Sequence, residues 1–425
     1  MTEVVDLCRD LIRIDTTNPG QTERPAAEYC AAKLDEVGIS SEVFDVAPGR
    51  TTCVARVEGA DPSRDALLIH GHLDVVPADA DDWQVHPFSG EIKDDCIWGR
   101  GAVDMKDMVA MTLATIRAYA REGRKPARDV VLAFVPDEEA GGAYGAKLLA
   151  QNHREHLEGV TEGIGEVGGF SVSIDAERRL YLMETAQKGI AWFKVIADGR
   201  AGHGSMLSED NAVTNLCDAI ARLGRHRHPV KMTPTVREFI AALGDALGVE
   251  LDADDPEIVL AKLGPLSRLL GATIRNTSNP TMLDAGYKVN VIPGRAEAAI
   301  DCRFLPGERD ILIKDVQEIL GPDVRIETII EDIAVETTFD GDLVDAMKAA
   351  LIAEDPGAIP VPYMLSGGTD AKHFVPLGIR CFGFSPLRLP PDLDFAGMFH
   401  GVDERVPVES LEFGVRVLDR FLATC

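Results

Sequence analysis

From its first residues the chain spaces apolar positions for helices. Val4 to Ile14 carries the i, i+3, i+4 pattern and Ala26 to Val37 repeats it, which predicts two amphipathic helices. Ala66-Leu67-Leu68-Ile69 is a short apolar run suited to a buried strand. Met105 to Arg121 predicts a helix with Met105, Val109, Leu113 and Ile116 on one face. Val130 to Val135 is apolar throughout, as a second buried strand requires. Strands alternating with helices predict an α/β fold, a mainly parallel sheet flanked by helices.

Near residue 187 the pattern changes. Ala191 to Ala197, Glu297 to Leu305 and Val324 to Ile330 read as strands, and Asn211 to Leu223 and Arg309 to Leu320 as helices. Short strands interleaved with two helices predict a small α+β unit. Residues 225–270 are polar and helical in texture, an elaboration of that unit. After about residue 331 the first texture resumes, with a helix at Leu343 to Ala353 and an apolar run from Ile379 to Phe384. The expected organisation is one α/β domain, 1–186 and 332–425, interrupted by an inserted α+β domain at 187–331.

Charge narrows the function classes. Among 425 residues, 43 lysines and arginines stand against 70 aspartates and glutamates, a net charge of −27. That excess opposes a nucleic-acid or anionic-membrane partner, both of which need a basic footprint. The local group Arg222, Arg225, His226, Arg227 and His228 is expected to cap the helix ending near Leu223. No apolar run approaches the roughly 18 residues of a membrane span. The opening Met1-Thr2-Glu3-Val4-Val5-Asp6 has early acids and no basic stretch, so no secretory signal is expected. Eight scattered cysteines without a CxxC pair suit free thiols in a reducing, cytoplasmic setting.

The candidate chemistry sits at strand ends. The run leaving Ile69 is His70-Gly71-His72-Leu73-Asp74, and positions two apart in extended chain point to one side, so His72 and Asp74 are expected neighbours. A carboxylate beside an imidazole fixes its tautomer, the usual support of a metal-binding histidine. Asp104, after Trp98-Gly99-Arg100-Gly101, opens the next helix, either as its cap or as a carboxylate with two oxygens for two cations. Asp137-Glu138-Glu139 ends the second strand. Adjacent acids there need compensation, as solvated loop groups or with one glutamate holding a cation while its neighbour works as a base. Ligands collect beyond the carboxyl ends of strands in such sheets. Glu166, with Glu162 as a competitor, and His400 complete the set. Two histidines and three carboxylates serve two zinc ions if Asp104 lies between them, and the donor set also admits cobalt or manganese.

These residues stand in ordered motifs: His72-Leu73-Asp74-Val75-Val76-Pro77, Gly99-Arg100-Gly101 through Asp104, Asp137-Glu138-Glu139, Asn290-Val291-Ile292-Pro293, Gly368-Thr369-Asp370 and His400. In them the chain resembles the di-zinc amidohydrolases that include aminoacylases, carboxypeptidase S, acetylornithine deacetylase and succinyl-diaminopimelate desuccinylase. The resemblance implies a di-zinc peptidase-like catalytic domain with an inserted dimerisation domain, and therefore a homodimer. It implies that His72 and Glu166 hold one metal, Glu139 and His400 the other, and Asp104 both. Asp74 then orients His72, and Glu138 is the general acid/base. His203, in Gly202-His203-Gly204-Ser205, matches a histidine that reaches the partner's active site. Asn290, Arg303, Gly368 and Thr369 match positions that hold substrate, Arg303 as a clamp on a carboxylate.

The function this implies is metal-dependent hydrolysis of the amide bond in small N-acyl amino acids or short peptides with a free carboxylate. The run from Asp74 through Trp83 and His86-Pro87-Phe88-Ser89-Gly90 favours the aminoacylase and carboxypeptidase S branch. The alternatives are a biosynthetic deacylase of acetylornithine or succinyl-diaminopimelate, and an inactive dimeric binding protein of the same fold.

Overall fold

The computed structural model describes residues 2–252, 259 and 267–425. It divides into two compact units, the first made of Met1–Thr185, Thr337–Tyr363 and Thr369–Cys425, the second of Ala186–Glu336 and Met364–Gly368. Against the boundaries drawn from the sequence, residues 186, 332–336 and 364–368 go with the second unit. Residues 253–258 and 260–266 of the 225–270 elaboration lie outside the described residues. Its described part includes the helix Pro234–Leu247, started by the Thr233 side chain accepting from the Val236 amide and ended by Gly248 in the left-handed region.

The first unit is built on one sheet. Its main strands are β1 (Ser41–Ala47), β2 (Arg50–Val57), β3 (Ala66–His72), β4 (Val130–Val135), β5 (Val160–Gly165), β6 (Arg179–Gln187) and β7 (Arg380–Gly383), in spatial order β1-β2-β4-β3-β5-β7-β6. The parallel part that alternating elements predict is the centre, where β3 runs parallel to β4 and β5, and β7 to β5. Beyond it the sheet turns antiparallel: β2 against β4 and β1, and β7 against β6. The hairpin β1–β2 needs only a short turn, so it is not bound by the helix-crossover pattern of the centre.

Every residue of β3 and β4 is buried, as expected for strands covered on both faces. One face carries Leu68, Val131, Ala133 and Val135 against Ala146, Leu149 and Phe374. On the other runs the helix Lys106–Glu122, close enough that a methyl group on Gly71 would meet Met105 and Val109. This packing anchors the carboxyl ends of β3, β4 and β5, from which the candidate residues emerge.

The second unit has a four-stranded antiparallel sheet in the order Thr277–Ala285, Arg295–Phe304, Gly189–Asp198, Arg325–Asp332. Burial alternates along Arg295–Phe304 as its sequence pattern requires. The buried side packs Phe193, Val195, Ala298 and Ile300 against Leu216, Leu223, Leu312 and Val316 of the helices Ala212–Arg225 and Arg309–Leu320. Two members of the basic group near residue 225 behave differently from expectation. Arg222 donates to the carbonyls of Ile319 and Leu320, so it caps the neighbouring helix and not its own. His228 is buried against Ser278 and Asp315. Among the described residues no helix is long and apolar enough to cross a membrane, and the eight cysteines are unpaired.

Candidate metal centre

The first unit brings His72, Asp104, Glu138, Glu139, Glu166 and His400 together. His72 is the last residue of β3; Glu138 and Glu139 follow β4; Glu166 follows β5. Parallel neighbours in register end at one level, so three loops deliver their side chains to one place. Asp104 arrives from the Gly99–Met105 loop; it is not the helix cap, a position held by Met105. His400 projects from a residue with left-handed backbone, φ 58°. The competing acid, Glu162, points elsewhere and pairs with Arg128 at 2.8 Å.

Nε2 of His72 lies 3.0 Å from Asp104 Oδ1 and 3.3 Å from Glu166 Oε2. Nε2 of His400 lies 3.3 Å from Asp104 Oδ2 and 3.0 Å from Glu139 Oε2. Asp104 therefore turns one oxygen to each imidazole. Ligand atoms of His72, Glu138 and Glu166 fall within 4.8 Å of one another, as do those of His72, Asp104 and Glu139. The donor chemistry fits cations between these groups. His72 Nδ1 lies 2.9 Å from the backbone carbonyl of Asp74. A proton on Nδ1 leaves a lone pair on Nε2 facing two carboxylate oxygens, which is repulsive without a positive charge between them. Buried Oε1 of Glu139 has no hydrogen-bond partner, another donor aimed at no protein group.

The electrostatics carry the same signature. Burial works against a charge on His72, yet Glu166 and Asp104 drive its pKa well above the usual value. Hydrogen bonds to the Asp104 and Glu139 carboxylates push His400 up to about 10. Burial raises Glu166, with Glu138 adding to it; burial and Asp104 lift Glu139 to about 7; burial also raises Glu138. Asp104 is held low because contacts with His400 and His72 outweigh its burial. Anions crowd here beyond what the protein's own cations neutralise, an excess that bound cations would offset.

The remaining candidates behave less uniformly. Asp74 meets His72 through its backbone carbonyl, with the carboxylate 3.6 Å away. That carboxylate instead accepts from the amides of Glu138 and Glu139 at 3.1 and 3.2 Å. In the second unit, Gly202 and His203 pair with Ile292 and Val291, and the Gly204 amide donates to the Asn290 carbonyl. His203 and Asn290 are thus neighbours on exposed chain, His203 bonded locally to Ser205. Arg303 does not present a free fork: it pairs with Asp301 at 2.7 and 3.1 Å. Gly368 belongs to the second unit and Thr369 to the first, where the Thr369 hydroxyl accepts from the Ala371 amide.

Residues 68–424 match the model of peptidase family M20/M25/M40. The chain belongs to this family. It is a metal-dependent amidohydrolase. Pig aminoacylase-1 is 26% identical over 99% of the chain and 94% of its own length. The N-fatty-acyl-amino acid synthase/hydrolase PM20D1 of Xenopus tropicalis is 27% identical over 97% of the chain and 84% of its own length. The M20 metallo-carboxypeptidase Sso-CP2 of Sulfolobus solfataricus shares the fold, with a TM-score of 0.77 at 18% identity, covering 100% of this chain and 99% of that one.

In this M20/M25/M40 chain the structure adds residues that sequence reasoning passed over. Glu404, fully buried, accepts from the amides of Gly101, Val103 and Asp104 and from Arg100 at 2.8 Å. One carboxylate thereby holds the whole loop that presents Asp104. Its signal was proximity to His400 in Phe399-His400-Gly401-Val402-Asp403-Glu404, where it reads as another surface acid. Asn18 and Arg50, behind Asp74, gave no motif signal at all.

Proposed function

We propose that the chain hydrolyses the amide bond of small N-acyl amino acids or short peptides with a free carboxylate, at a centre of two zinc ions. The observation that carries this reading is Asp104 facing His72 with one oxygen and His400 with the other. His72 and Glu166 would hold one ion and Glu139 and His400 the other, with Asp104 shared. Bound there, the metals supply Lewis acidity and bring the pKa of water toward neutrality; cobalt or manganese suit the same donors.

The protein's own groups do the rest. Glu138 lies among the candidate ligands, and its burial raises its pKa. That is the tuning a carboxylate needs to take a proton from the attacking water and return it to the leaving amine. Asp74 acts by gripping the amides of Glu138 and Glu139, and so places base and ligand together. Asn290, Gly368 and Thr369 would line the substrate. Arg303 would clamp its carboxylate by exchanging Asp301 for it, since the fork geometry suits either partner.

A second copy of the chain would supply His203 to stabilise the developing oxyanion. Supporting a homodimer, the second unit exposes Met206, Leu207, Met282, Leu283, Tyr287 and Val289, several of them on or beside the edge strand Thr277–Ala285. Exposed edges of this kind invite pairing. The unpaired cysteines support a cytoplasmic setting.

The test is amine release from a panel of N-acyl amino acids and dipeptides, run as purified, after chelation and after zinc is returned. Zinc-restorable cleavage of some members is expected. No cleavage of any member by protein loaded with two zinc ions per subunit would overturn the reading.

A further inference from the structure

Behind the Glu138–Glu139 turn runs a row of buried polar side chains. We propose that Asn18 and Arg50 are positioning residues for hydrolysis: they fix the Asp74 carboxylate, and through it the backbone that carries Glu138 and Glu139. The proposal rests on the hydrolase reading above.

Asp74 is fully buried, and its carboxylate accepts from three donors. Two are the amides of the turn; the third is Asn18 Nδ2, at 2.9 Å. The same Asn18 nitrogen reaches Asp137 Oδ1 at 3.3 Å, while its carbonyl oxygen accepts from Arg50 Nη2 at 2.6 Å. Arg50 turns Nε toward Asp137 Oδ1 at 3.6 Å and pairs through Nη1 with the buried Glu23. The amide of Asn18 is thus oriented by chemistry, with its oxygen on the cation and its nitrogen on two anions. An aspartate there has no proton to give Asp74, and an alanine reaches neither side.

Charge explains why Arg50 is needed. Glu23, Asp74 and Asp137 converge in a buried region, and such anions repel unless paired. The guanidinium serves Glu23 and Asp137 directly and Asp74 through Asn18. Asp137 matters in its own right: it sits at φ 73° at the start of the turn, and its second oxygen accepts from the Tyr144 amide. Asn18 is also held by its backbone, because its amide donates to the Val75 carbonyl while Val75 donates to Thr16. The Thr16 hydroxyl adds a bond to the Leu73 carbonyl. The segment before Pro19 is therefore laced to the chain that leaves β3. Neither Asn18 nor Arg50 is among the groups facing the candidate metals, so their loss acts through geometry.

The test compares wild type with Asn18→Ala, Arg50→Ala and Arg50→Lys, all zinc-loaded. For the alanine variants kcat is expected to fall roughly 10–100-fold, the usual cost of losing a group that orients a metal site. KM should stay within about threefold and two metals should be retained, since substrate binding is untouched. Arg50→Lys restores the charge without the fork and should recover part of the loss. A second readout is independent of turnover: the visible absorption of the cobalt-substituted protein should shift in Asn18→Ala and Arg50→Ala. If Arg50→Ala does not fold, Asn18→Ser, which keeps a short donor, replaces it in both measurements. Folded variants with wild-type kcat and a wild-type cobalt spectrum would overturn the proposal. If wild type itself cleaves no panel member, the hydrolase reading fails, and the cobalt spectrum alone still decides the positioning role.

Discussion

Glu138 and Glu139 are consecutive residues whose amides are gripped by one carboxylate, yet their side chains have different surroundings. Glu139 reaches His400 at 3.0 Å, whereas Glu138 stands with His72 and Glu166. A base contributes to turnover but not to holding metal. Glu138→Gln should therefore bind metal as wild type does, by elemental analysis, while kcat drops at least about 100-fold, the scale of general acid–base catalysis; retained turnover would remove Glu138 from that role. Glu404 offers the contrast of a residue that supports the Asp104 loop from within, so that its loss is structural. Glu404→Ala strands Arg100 and three amides in the interior, and breaking a buried pair in this way costs about 3–5 kcal/mol. Denaturant unfolding should show that loss, together with weaker metal retention.

At the scale of elements, long periodic segments were the legible part. The helices at Glu3–Arg13 and Lys106–Glu122 and the strands β3 and β4 follow from apolar spacing and apolar runs, because their apolar residues are buried inside the first unit. The metal-centre candidates were legible too, since a strand-end carboxylate or histidine is conspicuous. What escaped were contacts set by tertiary approach: the antiparallel edges of the sheet, Arg222 capping a helix from outside, and the Asp74 carboxylate turning to amides instead of to His72. No spacing rule encodes which donor a buried oxygen will find. Gly165 shows how tight that approach is, for a methyl group there would stand 2.2 Å from the His70 ring. Gly165→Ala should destabilise by about 1–3 kcal/mol through overpacking, read as a lower melting temperature. Glu184 on β6 tests the electrostatics of the same sheet. Burial raises its pKa from 4.5 to about 8, so between those values the folded chain keeps a proton that the unfolded chain has lost. Stability from this group falls as pH rises through the window. Glu184→Gln should flatten the decline in stability between about pH 5 and pH 8; an unchanged slope would show Glu184 ionised in the fold.

For the whole molecule, with a net charge of −27 and carboxylates concentrated at one candidate centre, a metal bound there is expected to add to stability. Ligands that bind only the folded state add about 2.7 kcal/mol at a hundredfold excess over Kd, so chelation should lower the melting temperature and zinc should return it. Subunit cooperation has its own test. Mixing inactive Glu138→Ala with His203→Ala should regain some activity through hybrid dimers if His203 serves the opposite subunit, and regain none if it serves its own. The most direct measurement of the proposed two-metal centre is the amount of zinc bound by chelator-stripped protein at equilibrium, in wild type and in Asp104→Ala. Two ions per subunit in the wild type, with loss of metal in the variant, are expected. One ion or none in wild type, or an undiminished two in the variant, would contradict a centre built around Asp104.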